Sequence, residues 1–349
     1  MKFLRFLLFP FALIYGAIIA LRNLFFDIGI FSYKKIIVPV ISVGNLSIGG
    51  TGKTPHIEYL IRLLKNNYNV ATLSRGYGRR SKNYFLANEN SNSNEIGDEP
   101  MQFKHKFPEI SVAVDAKRVN GIENLLKTNP KIDAILLDDA FQHRAVKPHL
   151  SILLSDYKKL FFNDFILPIG NLREPRNGYK RADIIIITKC PETISDLEKE
   201  NIKSKIKNLT HQKIIFSFVK YGNLISLNTT EIAQLDSELD ILLVTGIANS
   251  LPLEKYLKGK VKTIFPMRFR DHHNFTSTDI QQVKNNFSEL KSSKKIILCT
   301  EKDAMRLRNT SLLKTLESVP FFYIPIEIYF QEDDKREFDN LILETVLKN

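Results

Sequence analysis

Ser47-Ile-Gly-Gly-Thr-Gly-Lys-Thr54 lies between a β-branched run, Ile36–Val43, and an amphipathic stretch, Pro55–Asn66. Strand, glycine-rich turn and helix in that order restrict the chain more than any other feature. They commit it to α/β architecture with an anion site at a strand's carboxyl end. The spelling departs from G-x-x-x-x-G-K-[ST] only where Ser47 replaces the first glycine. Glycines let successive backbone N–H groups converge on phosphate oxygens. Lys53 brings a point charge to those oxygens, and the Thr54 hydroxyl can ligate magnesium. The expected nucleotide-binding residues are therefore Ser47, Ile48, Gly49, Gly50, Thr51, Gly52, Lys53 and Thr54. Pro55 suits a first helical turn, and Ile57, Leu60, Ile61 and Leu64 share one face of the helix.

Apolar runs and helical stretches alternate through the rest of the chain. Val70–Leu73, Ile110–Val114, Ile132–Leu137, Leu150–Leu154 and Ile184–Thr188 read as strands, and Lys117–Leu126 as a helix. Near 208–238 the text turns polar, with strand-like Ile214–Val219. A second alternation follows: Ile241–Thr245, Val261–Ile264, a helix over Thr278–Leu290, Ile296–Thr300, Phe321–Ile326 and a closing helix from about Lys335. The fold class is α/β with mostly parallel sheets covered on both faces. The expected division is 1–30, an amino-terminal helix; 31–208, a phosphate-loop domain; 209–238, a junction; and 239–349, a smaller α/β domain. Asn-rich residues 88–95 read as a mobile loop.

Ile132–Leu137 ends in Asp138-Asp139, the carboxylates that a phosphate loop usually faces across magnesium. Asp138 is the first choice for the metal, with Asp139 beside it or at the substrate. Leu73-Ser-Arg-Gly-Tyr-Gly-Arg79 sets Arg75, Tyr77 and Arg79 at a strand's carboxyl end, where forked guanidinium groups can hold phosphate. Asp98, in Gly97-Asp-Glu-Pro100, is either a base that takes a hydroxyl proton or a helix N-cap. His272 and His273 precede a helix and can orient a carboxylate, while a metal site would need more ligands than the local sequence offers. Arg173 and Glu174 lie in a stretch stiffened by Pro168 and Pro175, either positioned for a substrate or salt-bridged in a turn. In Thr188-Lys-Cys-Pro191, Pro191 stands where guanine-reading loops carry Asp, which favours ATP.

From Phe6 to Leu21 no residue is charged, and Pro10 inside that run is expected to kink or delay a helix. Lys2, Arg5, Arg22, Lys34 and Lys35 oppose Asp27 alone over residues 1–40. Basic flanks around an apolar helix suit an anionic membrane surface, with the helix either spanning the bilayer or lying in its interface. The whole chain carries a formal net charge of +12, which favours anionic partners, and it has no nucleic-acid recognition motif. Its two cysteines, Cys190 and Cys299, are too few for a disulfide framework or a four-ligand zinc site.

Together the motifs resemble the tetraacyldisaccharide 4′-kinases, the lipid A 4′-kinases of Gram-negative bacteria. The resemblance rests on Val43-Gly-Asn-Leu-Ser-Ile-Gly-Gly-Thr-Gly-Lys-Thr-Pro55, Ser74-Arg-Gly-Tyr-Gly-Arg79 and Gly97-Asp-Glu-Pro100. It continues through Asp138-Asp-Ala-Phe-Gln-His143, Leu172-Arg-Glu-Pro175, Asp271-His-His273 and Thr300-Glu-Lys-Asp303. Ala140 stands where the family usually has glycine. The resemblance implies two α/β/α sandwich domains joined by a short two-stranded linker. It implies transfer of the ATP γ-phosphoryl group to the 4′-hydroxyl of tetraacyldisaccharide 1-phosphate, giving lipid IV-A with Mg²⁺ as cofactor. Asp98 then matches the catalytic base, with His272 or its neighbour His273 as partner, and Lys53 the phosphate lysine. Arg75, Tyr77, Arg79, Arg118, Arg173 and Glu174 become candidates for the substrate. The expected location is the cytoplasmic face of the inner membrane, reached by the amino-terminal helix, with no obligate protein partner. Two rivals remain: a partner-binding NTPase, which would turn over without lipid, and a kinase with a soluble acceptor, which would not need residues 1–30.

Overall fold

A computed structural model of the chain describes residues 7–206, 210–308 and 312–348. Lys2, Arg5 and Phe6 of the apolar amino terminus lie outside the described residues. The first helix is Phe9–Asp27. Pro10 falls in its first turn, where a missing N–H costs nothing, so it starts the helix instead of kinking it.

Strands β1 (Val40–Asn45), β2 (Val70–Ser74), β3 (Phe85–Leu86), β4 (Ser111–Val114), β5 (Ala134–Asp138), β6 (Leu150–Asp156), β7 (Ile184–Thr188) and β8 (Lys213–Tyr221) come first. They are followed by β9 (Leu224–Ser226), β10 (Ile232–Ala233), β11 (Asp240–Thr245), β12 (Thr263–Arg268), β13 (Lys295–Thr300), β14 (Phe321–Ile324) and β15 (Ile326–Phe330). A nine-stranded sheet runs β15-β8-β7-β6-β1-β5-β2-β4-β3, and a six-stranded sheet runs β10-β9-β14-β13-β11-β12. Both are mostly parallel, with antiparallel strands at their margins.

β1 starts later than its apolar run because Pro39 has no N–H for the ladder; its carbonyl still accepts from the Ile135 amide at 2.9 Å. The six β1 residues are all buried, as a strand covered on both faces requires. The helix Lys53–Leu64 buries Ile57, Leu60, Ile61 and Leu64 against Ile41 and Val43. Each such side chain stabilises the fold by about 1.5–3 kcal/mol relative to exposure. β1 lies between β5 and β6. That places the phosphate loop and Asp138 at neighbouring carboxyl ends, the ligand crevice of an open α/β sheet.

Three parts of the expected layout differ. The junction at 209–238 and the run Phe321–Ile326 are each split between sheets. β8 belongs to the nine-stranded sheet, and its antiparallel partner is β15. The chain crosses at Gly222, whose amide donates to the Pro325 carbonyl at 2.9 Å on the returning strand. Pro325 cannot continue a ladder, so β14 stays in the six-stranded sheet and β15 returns to the first. The closing helix Glu332–Leu347 also packs there, with Phe338 against Tyr59 and Phe330. Residues 88–95 are not a bare loop. Asn92 and Glu95 form a capping box that starts a short helix, Ser93–Ile96.

Candidate functional site

The phosphate loop ends on Gly52, whose φ of +92° only glycine adopts freely, and the helix begins at Lys53. The loop is braced from below. The Asn45 side-chain amide donates to the Thr51 hydroxyl at 3.0 Å, and the Thr188 hydroxyl donates to the Thr51 carbonyl at 2.8 Å. On its other flank the Ile48 amide donates to the Asn171 carbonyl at 2.8 Å, and the Arg173 amide to the Leu46 carbonyl at 2.7 Å.

Asp138 ends β5 and Asp139 follows it, both facing that loop in different electrical settings. Asp138 is buried, and burial first, with Asp139 and Glu99 adding to it, pushes its carboxyl up to about 6. Its Oδ1 is buried with no hydrogen-bond partner among the described residues. Burial also pulls Asp139 upward, but Lys53 at 3.5 Å and Arg173 at 3.0 Å outweigh it and hold the carboxyl low. An orphaned carboxylate oxygen beside a second carboxylate fits magnesium, which takes oxygen ligands and keeps others from water and phosphate. Among the described residues no cluster of three His, Cys, Asp or Glu side chains offers an all-protein metal cage.

Asp98 is the first residue of the helix Asp98–Lys106, and Gly97 occupies the capping position. Its carboxylate makes no cap bond. Instead Oδ2 accepts from Arg306 Nε at 2.8 Å, Arg306 Nη2 at 2.6 Å and His272 Nδ1 at 3.2 Å. Burial pulls Asp98 upward, yet those hydrogen bonds leave its pKa below the ordinary carboxylate range. The bond to Asp98 raises the His272 pKa in return. His272 holds a φ of +56°, a conformation that non-glycine residues adopt at a cost. His273 faces elsewhere: its Nε2 lies 2.9 Å from Asp279 and its ring stacks on Phe269.

A family model for tetraacyldisaccharide-1-P 4′-kinase matches residues 4–347. The chain belongs to that family. The tetraacyldisaccharide 4′-kinase of Bacteroides thetaiotaomicron is 47% identical over 355 residues, covering 98% of this chain and 93% of its own. That of Flavobacterium johnsoniae is 46% identical over 351 residues, covering 100% and 99%. LpxK from Aquifex aeolicus, solved in complex with ATP, is 30% identical and superposes with a TM-score of 0.76 over 98% of this chain and 99% of its own.

Within this kinase family member, the expected substrate residues divide. Arg75 and Tyr77 are exposed on the turn after β2, and the Tyr77 ring lies 5.4 Å from that of His272. Arg79 turns inward, donating to the Val114 carbonyl at 3.3 Å and the Asn83 carbonyl at 2.8 Å, so it shapes the turn. Arg118 is buried, bonding the backbone carbonyls of Asp115 and Asp138, and burial lowers its pKa to about 10. Glu174 does not reach an acceptor: it is 1% exposed, and Arg181 at 2.8 Å, Gln142 at 2.9 Å and Asn23 at 3.1 Å occupy its oxygens.

Two residues escaped the sequence reading. Arg306 follows Asp303 by one helical turn, and Asp303 holds it at 2.9 Å, but no local pattern reveals that its target is Asp98, 208 residues away. No local pattern marks His56, in the helix Lys53–Leu64. It is buried under the loop, its Nδ1 donating to the Gly52 carbonyl at 2.7 Å and its Nε2 3.0 Å from the Ser217 hydroxyl. Burial pushes its pKa down to about 4, so the ring stays neutral at pH 7.

Proposed function

We propose that this chain transfers the γ-phosphoryl group of ATP to the 4′-hydroxyl of tetraacyldisaccharide 1-phosphate, giving lipid IV-A, with Asp98 as the general base. The observation that carries the reading is the convergence of Arg306 and His272 on Asp98, in a chain matched along its length by the kinase family. Three donors meet on Oδ2, which leaves Oδ1 to accept the hydroxyl proton. As that proton reaches Oδ1, the hydroxyl oxygen bonds to the γ-phosphorus and the bond to the ADP oxygen breaks. His272, hydrogen-bonded to Asp98, keeps the base aimed and can share the proton.

Lys53 and the loop amides would hold the β- and γ-phosphates. Thr54, Asp138 and Asp139 would hold Mg²⁺, which neutralises phosphate charge when bound. The unpartnered Asp138 oxygen supports that assignment. Arg173, anchored on Asp139, and the exposed Arg75 and Tyr77 would face the acceptor.

The helix Phe9–Asp27 docks the enzyme on the cytoplasmic face of an anionic membrane. It has a mean hydropathy of 1.7 and exposes Phe11, Leu13, Ile14, Ile18 and Leu21. At about 1.5 Å per residue it is about 28 Å long, near the thickness of the bilayer's hydrocarbon core. Its inner face is tethered to the body. The Tyr15 hydroxyl donates to the Arg173 carbonyl at 2.8 Å, Arg22 to the Gln142 carbonyl at 3.0 Å, and Asp27 pairs with Arg144 at 2.6 Å. A helix tethered from Tyr15 to Asp27 favours one-sided immersion over spanning.

The test is transfer of labelled phosphate from ATP to tetraacyldisaccharide 1-phosphate in mixed micelles, with Asp98→Ala alongside. Labelled lipid with wild type and almost none with the variant is expected. Undiminished transfer in the variant would remove Asp98 from the mechanism, and lipid-independent hydrolysis alone would favour a partner-binding NTPase.

A further inference from the structure

Away from the phosphate site, three helices meet on a buried group of charges. Glu58 lies in the helix that starts at Lys53, Gln102 and Lys106 in the helix that starts at Asp98, and Glu301 begins the helix that carries Arg306. Glu58 is fully buried and Glu301 nearly so. Lys106 Nζ lies 2.6 Å from Glu58 Oε2 and 3.0 Å from Glu301 Oε1. The Gln102 amide donates to both carboxylates, at 2.7 Å to Glu58 and 3.1 Å to Glu301. Arg62 approaches Glu58 at 3.7 Å. Burial and the Glu58 charge push the Glu301 carboxyl up against the pull of Lys106. One ammonium and one amide thus bridge two carboxylates on separate helices, which follow strands of different sheets, and only at this helix spacing are both served.

We propose that Glu58, Gln102, Lys106 and Glu301 form a positioning site that sets the phosphate lysine, the base and the arginine on that base in one register. The three helices begin at, or carry, Lys53, Asp98 and Arg306, and this cluster lies where they meet. Phosphoryl transfer depends on alignment more than on covalent chemistry, and a shift of about 1 Å can cost 10²-fold in rate. Glu301 and its partners touch no reacting atom; they act through the placement of Lys53 and Asp98. The proposal rests on the kinase reading above.

The test compares wild type with Glu301→Gln, Glu58→Gln, the double variant and the conservative Lys106→Arg. Transfer to the lipid acceptor, ATP affinity and thermal midpoint are measured on each, below the melting temperature. The Gln variants keep side-chain shape while removing one charge. Each should lose roughly tenfold in kcat with KM for ATP unchanged within about twofold. The double variant should lose no more than the worse single, as residues acting as a unit do, and Lys106→Arg should retain most of the rate. Unchanged kcat in both Gln variants would overturn the proposal, as would a loss that follows only the folded fraction. Wild type that binds ATP but transfers nothing to the lipid would overturn the kinase reading itself, and this proposal with it.

Discussion

The end of β5 and the start of the Asp98 helix each carry a carboxylate of the proposed site, on opposite electrostatic terms. Asp138 is buried beside Asp139, so desolvation and a like charge push its carboxyl up to about 6. Asp98 is also largely buried, yet Arg306 and His272 outweigh burial and hold its pKa low. At the first, Lys53 and Arg173 serve Asp139 and leave Asp138 Oδ1 unpartnered, suited to receive a cation. The second has its cations built in and suited to receive a proton. Their construction differs as well: Asp138 and Asp139 are consecutive residues, whereas Asp98, His272 and Arg306 come from three distant segments.

Asp98→Asn gives the largest expected effect on this contrast. It keeps the shape, removes the proposed base and should lower kcat by about 10³-fold with ATP affinity retained, measured by single-turnover transfer. Asp138→Asn should cost about 10- to 100-fold, and raising magnesium should restore part of that loss. Failure of magnesium to restore any activity would break the assignment of that site to a cation. Arg306→Lys keeps the charge but loses the fork on Asp98, and a drop of roughly tenfold in kcat is expected.

A subtler effect concerns protons. The His272 pKa is raised above 6.5, so the pair's contribution to stability is complete below 6.5 and is lost as pH rises through the higher folded value. Neutral His272 is the form able to share a proton, so log kcat should climb through an apparent pKa above 6.5. In His272→Gln that limb should vanish; an unchanged profile would confine His272 to aiming Asp98. A further effect is on the fold, outside catalysis. His56, held neutral by burial at a pKa of about 4, contributes stability that is complete above pH 6.5. That stability, roughly 3 kcal/mol, fades as pH falls from 6.5 to 4. In urea titrations His56→Gln should flatten this acid slope, while His105 and His143, also pushed down to about 4 by burial, keep the remainder.

What could be read before folding follows from what is local. Loop, strand and helix around Lys53 are contiguous, so glycine freedom and hydrophobic periodicity announce them directly. Asp138-Asp139 was legible for the same reason. Pro39, Pro10 and the Asn92 capping box shifted element boundaries because single N–H groups and side-chain caps decide ends, and apolar periodicity does not register them. The return of residues 326–330 to the first sheet was hidden because Phe321–Ile326 reads as one apolar run. Only strand pairing reveals that Pro325 divides it between two sheets.

By itself the sequence determined the α/β class, the phosphate loop, the paired carboxylates, the apolar amino terminus and, through seven ordered motifs, the family. The tertiary structure alone decided that His272 and not His273 meets Asp98, that Arg306 completes that contact, and that Glu174 is locked into the body. It alone placed His56 under the loop and gathered Glu58, Lys106 and Glu301 at one point. The physical reason is range. Periodicity, capping and glycine freedom act within a few residues, whereas a hydrogen bond or ion pair depends only on distance in space, which strand order and helix packing set.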